Sequence, residues 1–530
     1  MNIHIFIFVL CILFLILLVR SYRNFYTNTT SYDIVIVGGG ISGTFMARRL
    51  KQFYPHLNIL LIEKTSNLGG RIKSLQINTS SPLYAELGAM RLFPTLHPIT
   101  YSLLQQLNIQ TISVPGALGQ NITYQRNIRT MYDKLPSIAK DIYELYPREY
   151  NKSATQIINT AIQKTLSRYS LKQVDDIYKI NELTDITYKE YLLKNISVGA
   201  MNYYVDTVGF NLFTKDISAS VGIYESLDFT PANQPTDDDK QLFVFHGYSQ
   251  VPYKLCTDIH IIYDTQLLNF SIHPSSISLT VQNKHENYTI ISQRLILAMP
   301  TVDLYSLYPW SPSISSNFNR MYRWTGFKLF VQFTQQWWNP LLQGFSTTDL
   351  PLRQVWYYDK TTLMIYCDEQ NANFWRSLLP SDSSSWININ SRSDRVSDLM
   401  TRGQLDRVSD LMTGRLSDRV SDLMTEGSWD YGRIQDELVS QLSQMFGISS
   451  DLISPTLIAW QYWPSAIDFW KPGSINIESG IYPFGQDTPV YIVSDSWSLK
   501  QGWIEGALTC CQKVLWDKWN IPSILDVPIK

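Results

Sequence analysis

The stretch Tyr32–Arg71, YDIVIVGGGISGTFMARRLKQFYPHLNILLIEKTSNLGGR, constrains this chain more than any other. It opens with the apolar run Ile34–Val37, too short and too β-branched for a helix and typical of a buried parallel strand. Gly38, Gly40 and Gly43 follow in the pattern G-x-G-x-x-G. The first permits a tight turn, the second lets a pyrophosphate approach the backbone, and the third lets the next helix pack on the strand. That helix, expected over Ser42–Tyr54, aims its first N–H groups at the phosphates. A second apolar strand, Ile59–Ile62, ends in Glu63, an acid placed to accept hydrogen bonds from ribose hydroxyls. Strand, glycines, helix, strand and acid in that order predict dinucleotide binding.

Gly69-Gly70-Arg71 sets this unit apart from a nicotinamide site, which would share everything before it. The spacing from Glu63 resembles that of flavin amine oxidases. In that family the glycines, Gly70 among them, bring the backbone close to the cofactor, and the arginine, here Arg71, adds a fixed positive charge.

The chain has 530 residues, enough for two or three domains. Its formal net charge of −2 argues against a nucleic-acid partner. The five cysteines form neither a metal spacing nor a disulfide framework, and Cys510-Cys511 reads as helix packing. Ile5–Val19 is almost purely apolar, and with its flanks is near the lower limit for spanning a bilayer. It is a signal peptide or a signal anchor; the missing small-residue cleavage pair favours the anchor. Arg20 and Arg23 would hold the following side in the cytosol, whereas a cleaved signal would deliver the body to the lumen. Membrane anchorage, or passage through the secretory pathway to the exterior, is therefore the expectation. The sequons at Asn28, Asn121 and Asn287 permit glycosylation without deciding location.

From His97 to Phe229 the chain reads as helices, with apolar residues at helical spacing over Ile157–Leu166 and Leu183–Leu193. Strands are expected at His260–Tyr263, Ile277–Gln282 and Arg294–Ala298, completing the first sheet. A second β-rich region covers Gly326–Phe333, Val355–Tyr358, Thr362–Cys367 and Thr456–Trp460, with a helix near Ile434–Met445. Tyr491–Val493 is a last buried strand and Trp503–Trp516 a last helix. The fold class is α/β: a discontinuous Rossmann-like cofactor domain with an inserted α+β substrate domain and a helical subdomain, after an N-terminal hydrophobic helix. The boundaries are 1–24 for the hydrophobic segment, then 31–96, 239–320 and 476–530 for the cofactor domain. Residues 97–238 form the helical region and 321–475 the substrate domain. Within the last, DRVSDLMT occurs three times across 394–425, a tandem expansion expected in a surface loop.

Further along, YAELGAMRL, ending in Arg91-Leu92, resembles the substrate-side motif of L-amino-acid oxidases, which are flavin amine oxidases. STTDLP (346–351) with Arg353 and Tyr357, then Ala372-Asn373-Phe374, and GWIEGA (502–507) resemble the same family in the same order. These matches span nearly the whole chain after the hydrophobic segment. The resemblance implies non-covalent FAD, since no Ser-Gly-Gly-Cys-type attachment site is present. It implies Lys328 as the active-site lysine that holds a water at the flavin. Arg91 would meet a substrate carboxylate bidentately and Tyr357 would add a hydroxyl. Trp463 and Trp503 would wall the substrate amine, with Gly502 beside it. Met90, Arg91, Leu267, Asp495 and Ile504 would line the cofactor, with Asp495 standing where the family usually has glutamate. Phe229 follows Glu225-Ser226-Leu227-Asp228, where venom-type members place a histidine; His246 reads as a turn residue.

The implied reaction is oxidation of an L-amino acid by oxygen to a 2-oxo acid, ammonia and hydrogen peroxide. Two alternatives stay open: a polyamine or monoamine oxidase on the same fold, and a membrane-anchored FAD-binding protein without activity. A homodimer is an assembly open to such a chain, and no metal is expected.

Overall fold

The computed structural model describes residues 31–78, 81–171, 174–228, 241–307, 310–379, 384–388, 432–473 and 476–529. The expected N-terminal helix, Phe229 and the repeats lie outside these residues. Among the described residues, no helix is long and apolar enough to cross a membrane.

β1 (Ser31–Val37) leads through the glycine turn into α1 (Ile41–Phe53) and then β2 (Ile59–Ile62). β1 and β2 are parallel, Ile34 facing Ile59 and Val37 facing Ile62. Their apolar side chains are buried on both faces, which is why the strands read as unbroken apolar runs. The long strand Asn287–Leu297 runs parallel to β1 on its other side, with Val35 facing Leu295. Val490–Ile492 pairs in parallel with that strand, and His260–Ile262 with β2. One sheet thus gathers segments from three distant parts of the chain. Gln266–Ile272, which the sequence reading passed over, adds an antiparallel edge.

The helical region departs from expectation in two places. Leu183–Leu193 is not one helix, because Thr187 starts a new one at Tyr188–Asn195. Thr187 Oγ1 accepts from Glu190 N at 3.1 Å, and the Glu190 carboxylate accepts from Thr187 N at 2.8 Å. That reciprocal pair is a capping box, and it overrides the continuous apolar spacing. The region also holds strands, and Ile122–Gln125 joins the second sheet through Thr123, which faces Thr347. α2 (Pro98–Gln106) lies earlier, and Glu505 accepts from its Ile99 and Thr100 N–H groups at 3.1 and 2.8 Å.

The second sheet has eight strands, centred on β3 (Met321–Phe333), β4 (Gln354–Tyr357), β5 (Thr362–Asp368) and β6 (Pro455–Trp470). β6 is far longer than Thr456–Trp460, pairing with β3 from Pro455 to Trp470 across a bulge at Trp324 and Gly326. Side chains alternate between the sheet's two faces. Phe327, Leu329, Val355, Tyr357, Ile365 and Trp460 face the helix Gly432–Phe446, through its Ile434, Leu438 and Leu442. Phe330, Trp356, Tyr358, Met364 and Ala459 face the other way, onto Ala85, Leu87 and Met90. Lys328 and Tyr366 share the parity of this second face. α3 (Ile504–Trp519) packs on α1, with Cys510 and Cys511 buried as free thiols.

Candidate active site

The nucleotide end is built from backbone. Gly38 has φ +112°, and a Cβ there would lie 2.2 Å from the Ala298 carbonyl oxygen. A Cβ on Gly43 would lie 1.9 Å from the Gly38 carbonyl oxygen. At Gly40 the nearest atom to such a Cβ is Gly69 O, at 3.7 Å, so the approach to the turn is open. Gly69 N donates to Gly39 O at 2.9 Å and aligns the two glycine loops, placing Gly70 beside Gly40. α1 begins at Gly40 with no side-chain cap and no acid in its first turn, which leaves its leading N–H groups for an anion. Glu63 is buried, and its Oε2 accepts from Gly39 N at 2.7 Å. Oε1 accepts from Thr65 N at 2.8 Å and Thr65 Oγ1 at 2.7 Å, so part of its acceptor capacity remains for a ribose. Leu267 is buried just past Thr265, whose N–H donates to Glu63 O at 3.0 Å. This donor set fits a dinucleotide such as FAD.

Arg71 and Asp495 form a forked ion pair deeper in. Arg71 donates to both Asp495 oxygens and to Ala466 O at 2.8 Å. Asp495 Oδ2 also accepts from Gly502 N at 3.1 Å. Burial alone would raise the Asp495 pKa; Arg71, with hydrogen bonds from Ser494 and Gly502, outweighs it and holds the carboxyl below its usual value. The acid one methylene shorter than glutamate is thus committed to Arg71 and to the turn that starts α3. Gly502 has φ +81°, and Ile504 is the first residue of the helix.

Lys328, on β3, is buried and donates to Glu86 O at 3.0 Å and Gly88 O at 2.6 Å. Its ammonium sits 4.8 Å from the centre of the Tyr366 ring. Burial and the Arg91 charge push its pKa down to about 7, against the pull of Glu86. The Glu86 carboxyl is buried too, accepting from Ser74 Oγ and Tyr248 N, each at 2.7 Å. Burial pushes its pKa up to about 8. Trp463 Nε1 donates to Leu87 O at 2.8 Å, so Lys328 and Trp463 together tie down three consecutive carbonyls. Met90 packs beside them.

The Arg91 guanidinium lies 5.2 Å from the Trp356 ring and 5.9 Å from the Phe93 ring, and it donates to Gln241 Oε1 at 3.4 Å. Burial lowers its pKa to about 10, which leaves it charged at neutral pH. Tyr366 is close enough that it and Arg91 perturb each other's ionisation. Trp503 caps α3 with its ring centre 4.4 Å from that of His97 and 6.1 Å from that of Phe93.

The structure does not bring Tyr357 to this group. Its hydroxyl meets Ser346 Oγ at 2.7 Å, and its ring packs toward Trp338 and Phe446 on the opposite face of the sheet. Strand alternation puts Trp356 where Tyr357 was expected, and the nearby tyrosine is Tyr366 from β5. Sequence reasoning missed Tyr366, Glu86 and His97. The alternation of TLMIYCD marks Tyr366 as sharing a face with Met364, but only the pairing of Lys328 with Tyr366 reveals which face. His246 has φ +58° in its turn and packs edge-on to Tyr84, as a turn residue would.

A glycine-lined dinucleotide site with a buried lysine and a half-buried arginine beyond it is the arrangement of a flavoprotein oxidase. The family profile described as flavin containing amine oxidoreductase matches residues 41–402, and the chain belongs to that family. FAD, held without a covalent bond, is its cofactor. An uncharacterized protein of Acanthamoeba polyphaga mimivirus is 27% identical, covering 94% of this chain and 96% of its own length. YobN of Bacillus subtilis (strain 168), provisionally named an L-amino-acid oxidase, is 22% identical over 92% and 95% of the two chains. Among solved structures, cyclohexylamine oxidase from Brevibacterium oxydans aligns with a TM-score of 0.64 at 14% identity, over 91% and 98%. Putrescine oxidase bound to putrescine aligns at 0.62 and 14%, over 92% and 99%.

Proposed function

We propose that this flavin amine oxidase deaminates L-amino acids, giving 2-oxo acids, ammonia and hydrogen peroxide. The observation that carries this reading is the half-buried, charged Arg91 beside Tyr366. A substrate carboxylate neutralises that arginine through two parallel hydrogen bonds. A plain amine cation would instead add positive charge to a pocket that already holds the Arg91 guanidinium. At an effective dielectric of 20, like charges about 4 Å apart repel by about 4 kcal/mol.

The division of labour follows from position. Bound FAD supplies the two-electron acceptor between the substrate Cα–H bond and oxygen. Arg91 fixes the carboxylate, and so the face of Cα presented. Trp503 and Trp463 exclude water from the amine side. The Lys328 ammonium uses two protons on carbonyls and keeps the third for a water at the reacting face. The Arg71–Asp495 pair fixes the Gly502 turn, which would border the flavin when FAD is bound. Anchorage through Ile5–Val19 is part of this proposal and rests on that run's apolar length.

The test is anaerobic reduction of the bound flavin by a panel of L-amino acids, D-amino acids and polyamines. Bleaching by L-amino acids, lost in Arg91→Ala, supports the reading. Bleaching by polyamines, unchanged in Arg91→Ala, replaces it with a polyamine oxidase. A flavin that stays yellow with every candidate replaces it with a non-catalytic FAD protein.

A further inference from the structure

His97 is almost fully buried at the start of α2, and its ring has one committed nitrogen. Nδ1 accepts from Phe93 N at 3.2 Å, so in the neutral ring the proton sits on Nε2. Nε2 is buried and has no hydrogen-bond partner among the described residues. Burial, with the Lys500 and Arg91 charges nearby, drives the His97 pKa well below its usual value, which keeps the ring neutral. Buried donors left without an acceptor are uncommon, because each forfeits its hydration for nothing. This one lies against Trp503 and within the field of Arg91.

We propose that His97 Nε2–H is a second donor to the substrate carboxylate, beside Arg91. The inference rests on the amino-acid reading above. Two neighbouring cations and one neutral N–H call for an anionic acceptor, and the pocket around Arg91 and Trp503 is where that reading places a carboxylate. His97 cannot serve as a general base in this state, since Nδ1 is engaged and Nε2 is protonated. Its work is to orient the carboxylate.

The test uses the FAD-loaded protein and a substrate analogue lacking the amine, 3-phenylpropanoate, titrated by its perturbation of the flavin spectrum. His97→Asn keeps an acceptor for Phe93 N–H and deletes the donor at Nε2; His97→Gln keeps a donor near that position. His97→Asn should weaken the carboxylate by about 10- to 100-fold, the size of one hydrogen bond to a charged group. His97→Gln should recover most of that loss, and FAD affinity should be unchanged in both. An unchanged dissociation constant in His97→Asn overturns the proposal. So does a parallel loss of carboxylate and FAD affinity in both variants, which marks a structural role. A wild-type protein that binds no carboxylate and is reduced by no member of the L-amino-acid panel overturns the amino-acid reading itself, and this inference with it.

Discussion

Lys328 and Glu86 meet twice: the lysine donates to the Glu86 carbonyl at 3.0 Å, and the Glu86 side chain is a buried acid that feels the lysine's charge. Burial opposes both ionisations. The raised Glu86 pKa contributes stability that is complete below 4.5 and lost as pH rises through about 8. The lowered Lys328 pKa contributes stability that is complete above 10.5 and lost as pH falls through about 7. Glu86→Gln removes the first effect and, by taking away the pull of the Glu86 charge, strengthens the second, which also favours the variant as pH rises. The variant should therefore gain on the wild type as pH rises from 5 to 9, by on the order of 2–4 kcal/mol. Chemical denaturation across that range reads the difference, and a gap that does not widen with pH refutes the assignment.

Asp495→Asn breaks the fork to Arg71. The Arg71 side chain is 32% exposed and Asp495 is buried, so the loss falls short of a fully buried pair, at about 2–3 kcal/mol. The same change loosens the Gly502 turn. FAD should bind at least about 10-fold more weakly, as one lost charge-assisted contact allows. Fluorescence titration of the FAD-free protein with FAD measures this apart from turnover.

Arg91→Ala should separate substrate classes. Losing one partner of a desolvated charge pair costs about 2–5 kcal/mol. The second-order rate constant for flavin reduction by an L-amino acid should fall by about 10² or more, while FAD content stays the same. Stopped-flow reduction under anaerobic conditions reads this directly.

How much of this was legible depends on the range over which each residue acts. Gly38, Gly40, Gly43 and Glu63 act through local backbone conformation and a neighbouring strand, so their spacing carried the message. Arg71 and Asp495 were each marked as cofactor residues, but their pairing crosses 424 positions and no spacing announces it. The break at Thr187 was written in the sequence as T-x-x-E, and the apolar spacing masked it. His97 stood in view as a residue before proline; its orphaned nitrogen exists only once Phe93, Trp503 and Arg91 surround it.

Tyr366 and Tyr357 give the sharpest contrast between strand face and motif position. Tyr357 lies in the stretch that resembles the family, yet it packs with Ser346 and Trp338 behind the sheet. Tyr366 faces Lys328 across the β3–β5 pairing and shares the field of Arg91. Tyr366→Phe removes a hydroxyl that shares the field of Arg91, and under the amino-acid reading kcat/KM for L-amino acids should fall by about 10- to 100-fold. The phenyl ring remains beside Lys328, so FAD content and folding should hold. Tyr357→Phe deletes only the bond to Ser346, so it should leave kcat/KM near the wild-type value and lower stability by about 1 kcal/mol. Measuring both variants with the same substrate makes the comparison decisive. A loss of kcat/KM in Tyr357→Phe with none in Tyr366→Phe would mean that the sheet presents its other face to the substrate.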